Sequence, residues 1–471
     1  MKQCYFLSLL PACLIAQTAA AQTSKATPDR PNVVFILADD MGYGDLHCYG
    51  NDFIQTPNID RLAATGTRFE QAYAGSGISS PSRCALMTGK NTGKSRIRDN
   101  QCPVGGRVGM KISPHNDTTY IRRASLLPED TTIATVLHAG GYRCCLVNKW
   151  HLDGYDPGAA PNHRGFDEFY GWTISTVQSN GPYYYYPYYR FHNDSLITIS
   201  ENEHDAHVRH NTEISTDDAI AFINREKDNR FFLYLAYDAP HEPYHIDDTS
   251  WYDEKGDWSS NTKRYAALVT HMDYNIGRVL GALDALGLRE NTLVIFASDN
   301  GAAVMAPMKE LNCGAGLKGH KGQLYEGGIK VPLIVSQPGR VPKRSVNNVV
   351  YFPDFMPTLA ALTGSTKFLP RDIDGMDISP LFFGKDVDTD HRYLYWEFPG
   401  KQWAIRYGDW KAEAIGKGKP AELYNIKNDP YETDNLAEKN PSLLKKLTKM
   451  SKKMHSPSPN WPLPGEKTKK K

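Results

Sequence analysis

The chain has 471 residues, of which 54 are lysine or arginine and 53 are aspartate or glutamate, so its formal net charge is only +1. This length suits one large domain with a smaller companion, or two to three ordinary domains. The balanced charge excludes the global basic field that drives sequence-independent nucleic-acid binding, so a local cluster must bind any anionic substrate.

Residues 1–21 have the layout of a secretory signal peptide. Lys2 precedes an apolar stretch over residues 5–15, and a row of alanines ends at Ala21, after which we expect cleavage. The apolar stretch is shorter than the roughly 20 residues of a membrane span, so we expect no transmembrane anchor. Cys13 follows "LPA" as in a lipoprotein signal, but the apolar "LIA" after it argues against cleavage there. We therefore expect a periplasmic or secreted protein, with a surface lipoprotein as the less favoured alternative.

Short apolar runs alternate with helical patterns as far as residue 388. The runs "NVVFILA", "YRCCLV", "FFLYLAY", "TLVIFAS" and "VPLIVS" are nearly continuous in hydrophobicity, as in strands covered on both faces. Helical patterns between them include "TPNIDRLAATG", "DTTIATVLHAGG", residues 212–225 and "TKRYAALVTHMDYNIGRVLGALDALG". This alternation predicts an α/β domain over residues 28–388, with a large, mostly parallel sheet flanked by helices on both faces.

The pattern changes after about Asp388. The runs "RYLYWEF", "QWAIRYGDWKAEA" and "AELYNI" are short and aromatic, and a helical pattern covers residues 442–454. They predict a C-terminal α+β subdomain over residues 389–456, with a small antiparallel sheet and one helix. We expect residues 457–471, which end in "GEKTKKK", to be a disordered basic tail.

Acidic residues follow two of the apolar runs, at the strand ends where open α/β sheets bind ligands. Asp39 and Asp40 follow the first run, and Asp299 and Asn300 follow the fourth. One such pair alone could be a helix cap. Carboxylates this close repel one another unless a cation lies between them, and oxygen ligands favour a hard divalent ion such as Ca²⁺ or Mg²⁺. Two pairs after two strands therefore favour a metal site.

Basic and titratable residues follow the other runs. Lys149 and His151 follow the second run, His241 follows the third, and Lys321 lies in "HKGQLYEGG". Beside an acidic metal pocket these residues suit an anionic ester, because metal, ammonium and imidazole groups can share its charge.

The stretch "SSPSRCALMTGK", which begins at Ser79, matches a known signature: Cys or Ser, then x-P-S-R, two residues, Leu, one residue and Thr-Gly. The segments "PNVVFILADDMGYGDL", "NKWHL", "RGFDEFYG", "SDNG", "YEGGIKVP" and "ELYNIKNDPYETDNLA" occur in the same order as in that family. Over about residues 30–437 the chain thus resembles the formylglycine-dependent type I sulfatases of the alkaline phosphatase superfamily. Within them it is similar to carbohydrate sulfatases of the Ser type.

The resemblance implies that a maturation enzyme oxidises Ser79 to formylglycine. One hydroxyl of the hydrated aldehyde then attacks sulfur, and the other expels sulfate as the carbonyl reforms. Serine rather than cysteine at this position indicates a serine-oxidising maturation enzyme, as in anaerobic bacteria, unless a natural cysteine has been replaced. The implied ion is Ca²⁺, with Mg²⁺ as the alternative. Its implied ligands are Asp39, Asp40, Ser79 in its oxidised form, Asp299 and Asn300.

The resemblance also assigns the remaining catalytic roles. Arg83 would hold the aldehyde hydrate, and Lys149 and Lys321 would bind sulfate oxygens. His241 with Lys321 would protonate the leaving oxygen, and His151 would take a proton from the hydrate as sulfate leaves.

Long polar and aromatic loops, over residues 91–123 and 153–210, favour a sulfated carbohydrate over a small aryl sulfate. The candidate sugar contacts are Arg122, Arg123, His163, Arg164, Arg190 and His192. Two alternatives stay open. One is a phosphate or phosphonate ester hydrolase of the same superfamily, although the second set of Asp and His ligands of its dinuclear zinc members is not found. The other is a non-catalytic protein that binds sulfated glycans, if Ser79 is not oxidised.

Overall fold

The computed structural model describes residues 1, 30–112, 118–174, 185–463 and 465–466. The predicted signal peptide beyond Met1, like the end of the basic tail, lies outside the described residues. Among the described residues, no helix has the length and apolar character needed to cross a membrane.

The strands of the described residues are β1 (Asn32–Ala38), β2 (Thr67–Tyr73), β3 (Arg107–Ile112), β4 (Thr118–Arg123), β5 (Arg143–Lys149), β6 (Glu168–Trp172), β7 (Tyr189–His192), β8 (Ser195–Thr198), β9 (Phe231–Ala236), β10 (Thr292–Ser298), β11 (Leu333–Ser336), β12 (Arg344–Tyr351), β13 (Tyr393–Phe398), β14 (Gln402–Tyr407), β15 (Trp410–Ile415) and β16 (Glu422–Asn425). The α-helices are α1 (Pro57–Thr65), α2 (Ser79–Thr88), α3 (Ile133–Ala139), α4 (Asn211–Arg225), α5 (Ser260–Ala285), α6 (Glu326–Ile329), α7 (Phe355–Leu362), α8 (Ser379–Phe382) and α9 (Pro441–Met454).

Ten strands form the large sheet, in the order β12-β2-β11-β10-β1-β9-β5-β6-β7-β8. Strands β10, β1, β9, β5 and β6 are parallel neighbours, whereas β11 is antiparallel to both β10 and β2. The predicted large sheet is confirmed, and its central part is parallel. Strand β11 runs the other way because residues 299–332 stay at the carboxyl edge of the sheet, so the chain re-enters from that edge.

The sheet separates two apolar cores, as the continuous hydrophobic runs require. Odd-numbered residues of β1 from Val33 to Leu37 face one core, and even-numbered residues from Val34 to Ala38 face the other. Helices α2, α3 and α7 cover the first face, and α1, α4 and α5 cover the second. Helices on both faces are therefore confirmed.

A second sheet of four antiparallel strands, β13 to β16 in order, follows the large one, and α9 packs on it through the buried Leu447. These elements match the predicted small sheet and terminal helix. The Trp396 indole on β13 is fully buried and donates a hydrogen bond to Ala74 O at 2.8 Å. The small sheet is thus fixed to the segment that leads to Ser79.

Two expectations from the sequence differ from the structure. Part of the expected long loop over residues 91–123 is the antiparallel hairpin β3–β4. The disordered tail is expected from residue 457, but the Trp461 side chain is buried in the first core. Its indole donates a hydrogen bond to Gln101 O at 3.0 Å. A large apolar ring at this position favours packing over solvation.

A buried ion cluster joins the small sheet to the loop that carries Lys321. The Lys411 ammonium on β15 lies 3.2 Å from Glu326 Oε1, 2.7 Å from Glu432 Oε1 and 3.0 Å from Glu413 Oε2. All four side chains are fully buried. Burial raises the pKa of Glu413 well above its usual range and also raises that of Glu432, whereas at Glu326 Lys411 opposes the effect of burial and the pKa is lowered.

We expect Lys411→Met to lower the free energy of unfolding by roughly 3–5 kcal/mol, because it leaves carboxylates buried without their ammonium partner. Lys427→Met is the matched control, since Lys427 and Asp409 form an exposed pair 3.7 Å apart that should contribute less than about 1 kcal/mol. Urea denaturation of both variants measures the difference. Equal losses would show that the buried cluster does not stabilise the fold.

Candidate active site

Three acidic side chains and one amide meet at the carboxyl ends of β1 and β10. Asp39 and Asp40 follow β1, and Asp299 and Asn300 follow its parallel neighbour β10. The Asp40 backbone N–H donates to Asp299 Oδ1 at 3.1 Å, and Asn300 Nδ2 donates to Asp40 Oδ1 at 2.8 Å. All four residues are buried. The structure therefore brings together the four residues that the strand ends predicted.

Ser79 begins helix α2, and Arg83 lies one turn later on the same face. The Arg83 Nε–H points at Ser79 Oγ and at Asp299 Oδ2, each 2.9 Å away. Its Nη2 lies 2.8 Å from Asp299 Oδ2 and 3.4 Å from Asp39 Oδ1. Burial alone would lower the pKa of Arg83, but Asp299 and Asp39 raise it, so the guanidinium stays charged. Arg83 thus fixes the Ser79 hydroxyl against two carboxylates.

Two lysines supply further positive charge to the carboxylates. Lys149, at the end of β5, contacts Asp39 Oδ2, and Lys321 contacts Asp40 Oδ2. Burial raises the pKa of Asp39 and Asp40, but Lys149 and Lys321 respectively oppose it, and both pKa values are lowered. Burial, together with repulsion from Asp39, raises the pKa of Asp299. Asp39 and Asp40 are therefore held in the charged form, whereas Asp299 is less acidic than usual.

The loop of Lys321 packs directly on the segment before Ser79. The Gly322 N–H donates to Gly77 O at 2.7 Å. A Cβ on Gly77 would lie only 2.4 Å from Gln323 O, so glycine is needed for this close approach. The contact joins the loop of Lys321, whose ammonium contacts Asp40, to the segment that leads to Ser79.

His241 lies beside Lys321, with its Nε2 3.2 Å from Lys321 Nζ and 3.5 Å from Asp40 Oδ2. Its Nδ1 contacts the Glu242 carbonyl oxygen, which can only accept, so Nδ1 carries the proton. Nε2 then accepts from the Lys321 ammonium. Burial and then the charge of Lys321 lower the pKa of His241, which fits a neutral ring.

His151 lies between Ser79 and Arg123. Its Nδ1 is 3.3 Å from Ser79 Oγ, and its Nε2 is 3.0 Å from Arg123 Nη1. A guanidinium only donates, so Nε2 accepts and Nδ1–H points at Ser79 Oγ. Burial and then the charge of Arg123 lower the pKa of His151, so the ring is neutral. For His151 to take a proton from the oxygen of residue 79, the ring must turn or Arg123 must release Nε2.

The four carboxylate and amide side chains suit a hard divalent cation. Asp39 Oδ1 and Asn300 Oδ1 are buried and accept no hydrogen bond from any described residue. One ligand atom each from Asp39, Asp40 and His241 lie within 4.8 Å of one another. Carboxylate and amide oxygens are the ligands that Ca²⁺ and Mg²⁺ prefer. The donor set therefore fits the cation that the sequence predicted.

Of the six predicted sugar contacts, Arg123 contacts His151 in this cluster and Arg122 is exposed on β4. The other four have partners outside the cluster. Arg190 is buried and pairs with Asp218 at 2.6 Å, and Arg164 donates to the carbonyls of His163 and Gly158. The side chain of His163 pairs with Asp194 at 2.9 Å, and His192 stacks on Tyr170 with ring centroids 4.4 Å apart. The residues of these contacts lie in the loop before β6, on β6 and β7, in the turn after β7 and on α4.

Two site residues were missed or undervalued from the sequence. Arg123 was only one of several candidate sugar contacts, and no local pattern connects a hairpin residue with His151. Trp172 was not singled out, although its ring lies 5.6 Å from Lys149 Nζ. It ends β6, next to Lys149 on β5, so recognising "DEFYGW" as a strand would have found it.

Comparisons with known proteins match most of the chain. The family model described as "Sulfatase" matches residues 31–365, and the model "N-sulphoglucosamine sulphohydrolase, C-terminal" matches residues 319–458. The N-acetylgalactosamine-6-sulfatase of Canis lupus familiaris is 32% identical over 85% of this chain and 74% of its own. Arylsulfatase A of Homo sapiens is 31% identical over 88% of this chain and 85% of its own. The crystal structure of Ps i-CgsB in complex with k-i-k-neocarrahexaose has a TM-score of 0.75 and 29% identity, over 92% of this chain and 94% of that one.

The arrangement of Arg123 predicts the tautomer of His151. We expect ¹⁵N NMR of histidine-labelled protein to show the neutral Nδ1–H tautomer, with a hydrogen-bonded Nε2, because the guanidinium occupies Nε2. His151→Gln assigns the signal. Arg123→Met should shift the ring towards the Nε2–H tautomer, whereas Arg122→Met, in the exposed neighbouring residue, should not. An Nε2–H tautomer in the unaltered protein contradicts the geometry described above.

Proposed function

Because the chain belongs to the sulfatase family and is a sulfuric ester hydrolase, we propose that it removes sulfate from glycans, releasing the alcohol and inorganic sulfate. The observation that carries this proposal is Ser79, bound by Arg83 and His151 beside three buried carboxylates and two lysines. The glycan part rests on the names of related proteins, which include N-acetylgalactosamine-6-sulfatases.

We propose that a maturation enzyme oxidises Ser79 to formylglycine, with loss of two hydrogens to that enzyme's oxidant. Once hydrated, formylglycine supplies one hydroxyl to attack sulfur and a second whose oxygen becomes the carbonyl again as sulfate leaves. Arg83 supports this proposal, because its buried guanidinium donates to the oxygen of residue 79 and stabilises negative charge there. The first-turn position of Ser79 on α2 adds the favourable end of the helix dipole.

We propose that a divalent cation, Ca²⁺ or Mg²⁺, is held by Asp39, Asp40, Asp299 and Asn300 together with the oxygen of residue 79. Bound there, such an ion would offset negative charge on the sulfate and on the oxygen of residue 79. The buried oxygens of Asp39 and Asn300 that accept no hydrogen bond within the described chain support this assignment.

The lysines and His241 would act on the sulfate ester itself. Lys149 and Lys321 contact Asp39 and Asp40 and can each reach an anion placed beside Ser79, where they would bind sulfate oxygens. Lys321 and His241 share a proton across 3.2 Å, and that pair is the source we propose for the proton of the leaving alcohol.

We also propose that the protein is exported before it acts. The signal-peptide layout of residues 1–21 supports export, and large sulfated glycans are met outside the cell.

Two alternative functions, a dinuclear phosphoesterase and a non-catalytic glycan-binding protein, have less support. Among the described residues, the group of Asp39, Asp40 and His241 is the one cluster with metal-ligand spacing, whereas a dinuclear phosphoesterase needs a second set. A protein that binds sulfated glycans without turnover would require Ser79 to remain unoxidised.

Maturation and activity should appear together. When the chain is produced with a serine-oxidising maturation enzyme, we expect the peptide containing Ser79 to lose about 2 Da, the mass of two hydrogens. Ion chromatography should then detect sulfate released from a panel of sulfated galactose, N-acetylgalactosamine and N-acetylglucosamine. Ser79→Ala should show neither change, and Ser80→Ala should keep the mass loss. Full activity with Ser79 unmodified would refute the proposed nucleophile.

Removing one proposed cation ligand should abolish turnover and cation-dependent stability together. We expect Ca²⁺ to raise the melting temperature of the unsubstituted protein, with a stabilisation of about 2.7 kcal/mol at 100 times the dissociation constant, and EDTA to reverse it. Asp299→Ala should lose this response because a charged ligand is gone. Asp273→Ala is the control, since the Asp273 carboxylate accepts from the Asn58 and Ile59 N–H groups instead. A Ca²⁺ response that survives in Asp299→Ala contradicts the assignment.

A further inference from the structure

A basic cleft lies between the turns of the small sheet and helix α9, outside the site described above. Its volume is about 450 Å³. Lysines from three separate elements line it: Lys401 from the turn between β13 and β14, Lys417 and Lys419 from the turn after β15, and Lys452 from α9. Trp403 forms part of the wall and is only partly buried. The cleft thus combines positive charge with an aromatic surface on which a sugar ring can pack.

The carboxylates near the cleft are already compensated. Glu397 accepts from Arg98 Nη1 at 3.0 Å and from His455 Nδ1 at 2.7 Å, while Glu466 lies 2.5 Å from His455 Nε2. The hydrogen bond to Glu397 raises the pKa of His455 and favours its charged form. Two carboxylates are therefore matched by one guanidinium and one imidazolium.

The lysines are compensated less completely. Lys401 pairs with Asp99 at 2.8 Å. Lys417, Lys419 and Lys452 are exposed, and within the described chain no ion pair involves them. Three positive charges from two elements thus face one cavity. These ammonium groups repel one another, and an anionic ligand between them would relieve that repulsion.

The cleft shares a wall with the loop of Lys321. Gln402, at the start of β14, donates from Nε2 to Gly322 O at 3.0 Å and accepts the Leu324 N–H at 3.2 Å. Gly322 directly follows Lys321 in the chain. Residues 399–401 and Gln402 line the cleft, so Gln402 joins the wall of the cleft to the loop that carries Lys321.

A second connection runs through Lys401. Its partner Asp99 precedes Asn100, whose carbonyl accepts from Arg123 Nη1 at 3.0 Å. Arg123 in turn contacts His151. The same turn of the small sheet is thus linked to both sides of the active site, to Lys321 by Gln402 and to His151 by Lys401.

We propose that this cleft binds a further anionic sugar, carrying sulfate or carboxylate, of the same glycan chain whose sulfate is removed at Ser79. The proposal rests on the proposed function, because it assumes a polyanionic glycan at the neighbouring reaction site. The chain would cross the turn over residues 399–401, with one unit at the lysines of the active site and a later unit at Lys417, Lys419 and Lys452.

The test separates binding in the cleft from the reaction. In a Ser79→Ala background, isothermal titration calorimetry measures binding of decasaccharides of chondroitin 6-sulfate and of carrageenan. The cleft variant is Lys417→Gln with Lys419→Gln and Lys452→Gln. The matched control removes the same charge from α9 outside the cleft, by Lys445→Gln, Lys449→Gln and Lys453→Gln.

We expect the cleft variant to weaken binding of the tighter decasaccharide by roughly tenfold or more, and the control to weaken it by less than about twofold. Titration with desulfated chondroitin decasaccharide shows whether the carboxylates of the glycan alone are enough for binding in the cleft. Equal losses in both variants, no loss in the cleft variant, or no binding of either decasaccharide overturns the proposal.

Turnover distinguishes this failure from failure of the proposed function. With Ser79 present and matured, the cleft variant should release sulfate from the corresponding sulfated monosaccharide with unchanged kcat/KM, because no further unit can enter the cleft. Absence of sulfate release from every ester by every variant would refute the proposed function, whereas the binding experiment does not depend on turnover.

Discussion

Burial of three carboxylates at the ends of two neighbouring strands is the constraint around which this molecule is arranged. Asp39, Asp40 and Asp299 lie so close together that repulsion and desolvation would destabilise the fold unless positive charge were brought to them. Arg83 from α2, Lys149 from β5 and Lys321 from the loop after β10 supply it. Three distant parts of the chain therefore converge on one point, and Ser79 lies there because it is on the helix that also carries Arg83.

The small C-terminal sheet contributes to the same arrangement. Its buried Lys411 holds Glu326, in the segment that follows Lys321, and its Gln402 holds the backbone on both sides of Gln323. Trp396 fixes the sheet to the carbonyl of Ala74, a few residues before Ser79. The second subdomain thus positions two of the active-site segments, and its basic cleft extends the positive surface away from the reaction site.

Features that depend on residues close together in the chain could be predicted from the sequence. Continuous apolar runs located β1 and β10, and because these strands are parallel neighbours, the acidic residues after them had to meet. Contacts between distant residues were not readable: Arg123 reaches His151 across a hairpin, and Arg190 was expected to bind sugar but is neutralised by Asp218. The composition of the segment around Trp461 predicted disorder. Trp461 nevertheless packs into the first core, because burial of its large aromatic ring is favourable although its neighbours are polar.

Under the proposed function, this charge arrangement serves hydrolysis of a sulfate ester at the oxidised residue 79. The most direct test compares a sulfated sugar that the panel above identifies as a substrate with the phosphate ester of the same hydroxyl, on one preparation of matured protein with its cation. We expect a higher kcat/KM for the sulfate ester, and we expect that activity to scale with the fraction of formylglycine at position 79. A higher kcat/KM for the phosphate ester, or sulfate release independent of that fraction, would contradict the proposed function.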